Sequence, residues 1–131
     1  MPVRGIRGAT TAATNSREAI LEATSELLEC LVRANGVRRE DVASILFSTT
    51  PDLNAEFPAV AARTAGWTEV ALLCTHEMMV PGSLPQCVRI LIHVNTDRPA
   101  DEMEHIYLRG ARALRPDLTI EPESGAPEES S

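Results

Sequence analysis

VRGIRGA (3–9) is a run of apolar and small residues interrupted by Arg4 and Arg7 and closed by threonines, and it reads as a first strand. Val3, Gly5, Arg7 and Ala9 share one face, and Arg4, Ile6, Gly8 and Thr10 the other. The period then lengthens. Ile20, Ala23, Leu27, Leu28, Leu31 and Val32 recur at helical spacing, so a long amphipathic helix is expected over 16–34. Asn15 is its expected N-cap, with Glu18 three residues on, and Asn35-Gly36 its stop. Arg17, Glu22, Glu26, Glu29 and Arg33 form its polar face.

Beyond a turn or short helix at RRED (38–41), VASILFST (42–49) reads as a second strand and TPDLNAE as a loop. FPAVAARTAG reads as a short helix opened by Pro58 and ended by Gly66. VALLC (70–74) is expected to be a buried strand, and THEMMVPGSLPQ a loop broken by Pro81, Gly82 and Pro85. CVRILIHVNT (87–96) is the strongest strand pattern, with Val88, Ile90, Ile92 and Val94 against Cys87, Arg89, Leu91 and His93. After a turn at 97–99, ADEMEHIYLRGARALRPDL is mixed. Its start looks helical, Tyr107 to Leu114 suits a strand, and Gly110 opposes one continuous helix. The order β-α-β-α-β-β-(α)-β predicts an α/β (α+β) domain, a mixed five-stranded sheet with the long helix on one face. The domain should span 1–120, followed by a disordered acidic tail over 121–131.

Composition narrows the chemistry. Four of the 19 acidic residues fall in that tail, so most of the net charge of −7 does not belong to the domain. No basic patch suggests nucleic acid. All 12 basic residues are arginine, which excludes a lysine Schiff base, a lysine general base and a phosphate-loop lysine. Cys30, Cys74 and Cys87 form no C-x-x-C. No signal-like apolar segment or membrane-length apolar run occurs, so a cytoplasmic location and no membrane partner are expected. Phe47, Phe57, Trp67 and Tyr107 are all the aromatics, and so small an aromatic core favours oligomerisation.

The unusual residues are Arg7 and Arg89, each mid-strand among small or apolar neighbours. One such arginine ordinarily reaches solvent or pairs with a carboxylate. Two in one small domain suggest an anion site, since a guanidinium binds carboxylates through paired hydrogen bonds. Glu77 follows the third strand and is either a solvated loop carboxylate, an ion-pair partner of these arginines, or part of the site. Cys74 reads as a small core residue, and Tyr107 needs a hydrogen-bond partner if buried. His76, His93 and His105 lack metal-ligand spacing, and no nucleophile or metal motif is present. The residues therefore describe a binder of a small polyanion, able to catalyse only by positioning and electrostatics.

RGIRGATT, STTPDLNAEFPA, CTHEM, CVRIL, HIYL and LRPDL together resemble the monofunctional bacterial chorismate mutases of the trimeric pseudo-α/β-barrel type, across roughly residues 3–120. The resemblance implies a homotrimer with active sites at its subunit interfaces. It implies the Claisen rearrangement of chorismate to prephenate, on the route to phenylalanine and tyrosine, without cofactor, metal or covalent intermediate. It also implies roles. Arg7 and Tyr107 would bind a carboxylate, and Arg89 the ether oxygen and a carboxylate. Glu77 and Cys74 would meet the ring hydroxyl. Phe57, Ala59 and Arg63 would come from the neighbouring subunit, and Leu114 and Arg115 would close the site. Leu73 stands where a threonine is expected and would contribute backbone. The competing readings are a trimeric imine or enamine deaminase and a non-catalytic effector-binding trimer.

Overall fold

The computed structural model describes residues 1–114. Five strands form one sheet: β1 (Val3–Thr11), β2 (Val42–Thr49), β3 (Ala71–His76), β4 (Cys87–Asn95) and β5 (Ile106–Tyr107). Two helices, α1 (Arg17–Asn35) and α2 (Ala59–Thr64), accompany them. The strand order is β3-β2-β4-β1-β5. The central strand β4 runs antiparallel to β1 and β2, while β3 and β5 pair in parallel at the two edges. The expected mixed five-stranded sheet with one long helix is what forms. Arg115 and the expected tail over 121–131 lie outside the described residues.

Periodicity explains which face is covered. Ile6, Ile45, Phe47, Ile90 and Ile92 point one way and are buried with Leu27, Leu28 and Leu31 of α1 in the main core. Each such side chain contributes about 1.5–3 kcal/mol by leaving water. Gly8 lets the helix approach: a Cβ there would sit 2.7 Å from the Ile106 carbonyl oxygen and 2.9 Å from Leu27 Cδ1. The opposite face carries Gly5, Arg7 and Ala9 of β1 and Arg89, Leu91 and His93 of β4; neither α-helix covers it, and among the described residues only the segment around Ala111 and Leu114 packs on its Ala9 end.

Both ends of α1 are closed locally. The N-cap is Ser16, not Asn15: the Ser16 hydroxyl accepts from Ala19 N at 3.1 Å. Asn15 is used across the fold, its Oδ1 accepting from the amides of Asn54 and Ala55. Gly36 takes a left-handed conformation (φ 60°), and the amides of Gly36 and Val37 return to the Arg33 and Val32 carbonyls.

Two other expectations change. The apolar run 70–74 does not form a buried strand. β3 starts at Ala71 and is an edge, with Leu73 57% exposed. Val70, Leu72 and Cys74 pack against the core, while Ala71 and Leu73 alternate to the exposed face of the edge strand. Residues 107–114 do not form a strand either. β5 is two residues long, and a 3₁₀ helix follows over Arg109–Leu114. Gly110 fits this turn closely, its amide donating to Thr11 Oγ1 at 3.1 Å.

Candidate active site

Register builds the site. Arg89 is directly opposite Ala9 on β1 and Ser48 on β2, and Ala9 in turn pairs with Tyr107 on β5. Paired residues share a face, so Ser48, Arg89, Ala9 and Tyr107 form one row across four strands. Ala9 is the floor between a guanidinium and a phenol. Arg7 lies in the next row, opposite Leu91. Its Nε donates to the Tyr107 hydroxyl at 3.2 Å, and its amide donates to His105 Nδ1 at 3.1 Å. The partner that a buried Tyr107 needs is thus Arg7.

Glu77 completes the group. Its amide donates to the Thr49 carbonyl at 2.8 Å, which extends β3 and turns the carboxylate onto the open face. Glu77 Oε1 lies 3.5 Å from Arg89 Nε. That Nε is buried and has no hydrogen-bond partner, while the side chain as a whole is 40% exposed. A donor left buried and unpaired costs about 1–3 kcal/mol. Such a group fits a site whose acceptor arrives with the ligand. Beneath it, Cys87 packs with Ala9, Tyr107 and Ala111, and Leu114 closes over the same cluster. Burial raises the Cys87 thiol pKa above its ordinary value, and the Arg89 guanidinium pulls it partly back. The thiol is neutral and can serve Arg89 as packing, not as a competing anion.

The remaining expected residues lie elsewhere. Cys74 pairs with Phe47, whose side chain belongs to the helix-covered core. Cys74 therefore faces α2, not Glu77 and Arg89. Burial raises its thiol pKa, opposed by an Ala59 backbone hydrogen bond and by the Arg63 charge. Phe57, Pro58 and Cys74 line a cavity of about 360 Å³ together with Thr49, Leu53 and His76. Phe57 is 66% exposed at its rim, and Ala59 is buried. Within one chain, then, Arg7, Arg89, Glu77, Tyr107 and Leu114 come together. Cys74, Phe57, Ala59 and Arg63 form a second group on the other side of the sheet. Leu73 belongs to the open face, level with Leu46 and Leu91.

Sequence reasoning missed His105, which accepts from the Arg7 amide, and Ser48, which stands opposite Arg89. The first needed the two-residue strand β5, which has no periodicity to read. The second followed from strand alternation once the β2–β4 register was known. Among the described residues, no three His, Cys, Asp or Glu side chains cluster as metal ligands.

A sheet face holding two arginines, a carboxylate and a phenol has the chemistry to receive a small dianion, on an α+β scaffold. The chorismate mutase type I family matches residues 3–118, and the chain belongs to that family. It is 46% identical over 121 residues to the chorismate mutase AroH of Bacillus subtilis (strain 168), spanning 92% of this chain and 95% of that protein. It is 50% identical over 117 residues to the chorismate mutase AroH of Thermus thermophilus, spanning 88% and 96%. The structure of a chorismate mutase from Clostridium thermocellum superposes with a TM-score of 0.82 at 47% identity, covering 84% of this chain and 98% of that one.

Proposed function

We propose that the protein rearranges chorismate to prephenate at the Arg7–Arg89–Glu77–Tyr107 cluster. The observation that carries this is Arg89: a strand guanidinium whose buried Nε makes no hydrogen bond and faces the Glu77 carboxylate, beside the Arg7–Tyr107 pair. Chorismate carries two carboxylates and an ether oxygen. Arg7 and Tyr107 hold one carboxylate. Arg89 holds the other and reaches the ether oxygen. Clamping both carboxylates selects the compact chair in which the two reacting carbons meet, so the site supplies orientation. As the C–O bond breaks and the C–C bond forms, charge grows on the oxygen. A guanidinium already in place there stabilises the transition state more than the ground state. Glu77 accepts from the ring hydroxyl. Every electron moves within the substrate, so the residues present are sufficient.

The active unit in this reading is a homotrimer with sites at its interfaces. Two features support it. Leu46, Leu91 and the 57%-exposed Leu73 line up on a sheet face that neither α-helix covers, and an uncovered apolar face of this kind marks an interaction surface. Secondly, Phe57, Ala59, Arg63 and Cys74 cannot reach the Arg89 cluster of their own chain, but a neighbouring subunit could bring its copies there. Cys74 would then meet the substrate from the neighbouring side. No helix among the described residues is long and apolar enough to cross a membrane, and the enzyme works in the cytoplasm beside the other steps of aromatic amino acid synthesis.

The test uses chorismate alone in metal-free buffer, followed by ultraviolet absorbance with product identification. Conversion to prephenate that Arg89→Ala abolishes is the expected result. A folded protein that leaves chorismate unchanged overturns the proposal. Sedimentation of the same sample should give three times the chain mass, and a monomer with full activity would overturn the interfacial site.

A further inference from the structure

The segment Thr49–Asp52 grips both ends of the loop that separates Glu77 from Arg89. At one end, the Thr49 carbonyl accepts from Glu77 N at 2.8 Å, and the Thr49 hydroxyl meets His76 Nδ1 at 3.1 Å. At the other end, the Asp52 carboxylate uses both oxygens. Oδ2 accepts from Gln86 N at 2.9 Å, and Oδ1 accepts from the Thr50 hydroxyl at 2.5 Å. The same Thr50 oxygen accepts from Cys87 N at 2.9 Å, while Thr50 N donates to the Cys87 carbonyl at 3.0 Å.

The residue that Asp52 holds is the strained one. Gln86 has φ 53°, a left-handed backbone that non-glycine residues rarely take. Its carbonyl accepts from Ala12 N at 2.9 Å, so the turn is tied to β1 as well. This turn starts β4, and Arg89 lies three residues beyond it. Without the clamp, Gln86 would relax to a negative φ and move the entry of β4 relative to Glu77.

We infer that Asp52, acting with Thr50, is a positioning residue for the Arg89–Glu77 pair: it holds Gln86 in the left-handed turn that aims Arg89 at the substrate. The inference rests on the proposed mutase reaction, and its test separates the two. Asp52→Asn keeps the shape but offers one acceptor oxygen where two donors must be met. Expected is a fall in kcat of about tenfold with KM changed by no more than about twofold, because sub-ångström misplacement of a group acting in the transition state costs rate before affinity. In an Arg89→Lys background the same substitution should add little, since the group it aims is gone. Gln86→Gly, which takes positive φ without strain, should recover part of the rate lost in Asp52→Asn.

Amide exchange at Gln86 and Cys87 reads the clamp without chorismate, and it should quicken in Asp52→Asn while core amides stay protected. A wild type that does not convert chorismate overturns the mutase reading and leaves exchange to judge the clamp. An active wild type matched by Asp52→Asn in kcat overturns the positioning role. So does a loss fully additive with Arg89→Lys, or one that Gln86→Gly does not relieve. If Asp52→Asn fails to fold, Thr50→Val removes one arm of the clamp and carries the same kinetic test.

Discussion

Arg7 Nε donates to the Tyr107 hydroxyl at 3.2 Å, joining two residues 100 positions apart on neighbouring strands. The pair presents a guanidinium and a phenol at one corner of the sheet face opposite α1. A carboxylate bound there meets a positive charge whose direction is already fixed. Arg7→Ala should raise KM by about 10–100-fold, the worth of a hydrogen bond to a charged group. Tyr107→Phe should raise it by only about tenfold or less, because Arg7 keeps its charge and loses one tether. Steady-state kinetics check both, and an unchanged KM in Arg7→Ala would remove it as the carboxylate clamp.

Arg89 answers to a different parameter. Its proposed partner is an oxygen whose charge grows during reaction. Arg89→Lys keeps the charge but replaces a planar fork with a flexible point donor. The expected loss is at least about 10²-fold in kcat, as when a principal oxyanion donor is removed. A fall of less than tenfold would assign the transition-state role elsewhere.

Much of this arrangement was legible in the sequence, and the limits have physical causes. Strand alternation put Arg7 with Ala9, and Arg89 with Leu91, on shared faces, and the helical period found the core face of α1. The edge strand misled: VALLC is apolar because Leu72 and Cys74 face α2 while Ala71 and Leu73 face outward. Composition cannot distinguish an interior strand from an apolar edge strand. Only the family resemblance joined Cys74 to Glu77; read as a small core residue Cys74 fits its place, since an odd spacing of three puts the two on opposite faces. Ser16 rather than Asn15 caps the helix because Asn15 has a tertiary task that no local pattern reveals. The clamp at Asp52 was visible only as a turn-like TPD. Its partner, the left-handed Gln86, carries a residue type that does not announce a positive φ.

Gly8 reports on how closely α1 packs against β1. A methyl group there would stand 2.7 Å from a backbone oxygen of β5 and 2.9 Å from Leu27. The leucine can adjust, but the carbonyl can move only with its strand. Gly8→Ala should therefore cost about 1–3 kcal/mol, the usual price of overpacking. A urea midpoint lowered with an unchanged slope would show this. A variant as stable as the parent would mean that β5 yields freely. In that case Tyr107, which β5 carries, should shift and KM should rise.

The cysteines set a pH limit on stability, not on catalysis. Burial raises the Cys87 and Cys74 thiol pKa values above the ordinary 9.0. In the unfolded chain each thiol ionises near its ordinary pKa; in the folded protein it stays protonated to higher pH. Between those two values the unfolded state binds fewer protons, so stability falls as pH rises. It is fully present below the unfolded-state value. Chemical denaturation from pH 7 to 10 should show stability level at first and then declining. Cys87→Ala should flatten part of the decline, though its smaller side chain lowers stability at every pH. The Claisen reaction as proposed uses no thiolate, so kcat should show no rise as the thiols begin to ionise. A rate that climbs with thiolate formation, and loses that climb in Cys74→Ala, would give Cys74 a chemical role that the proposed mechanism does not contain.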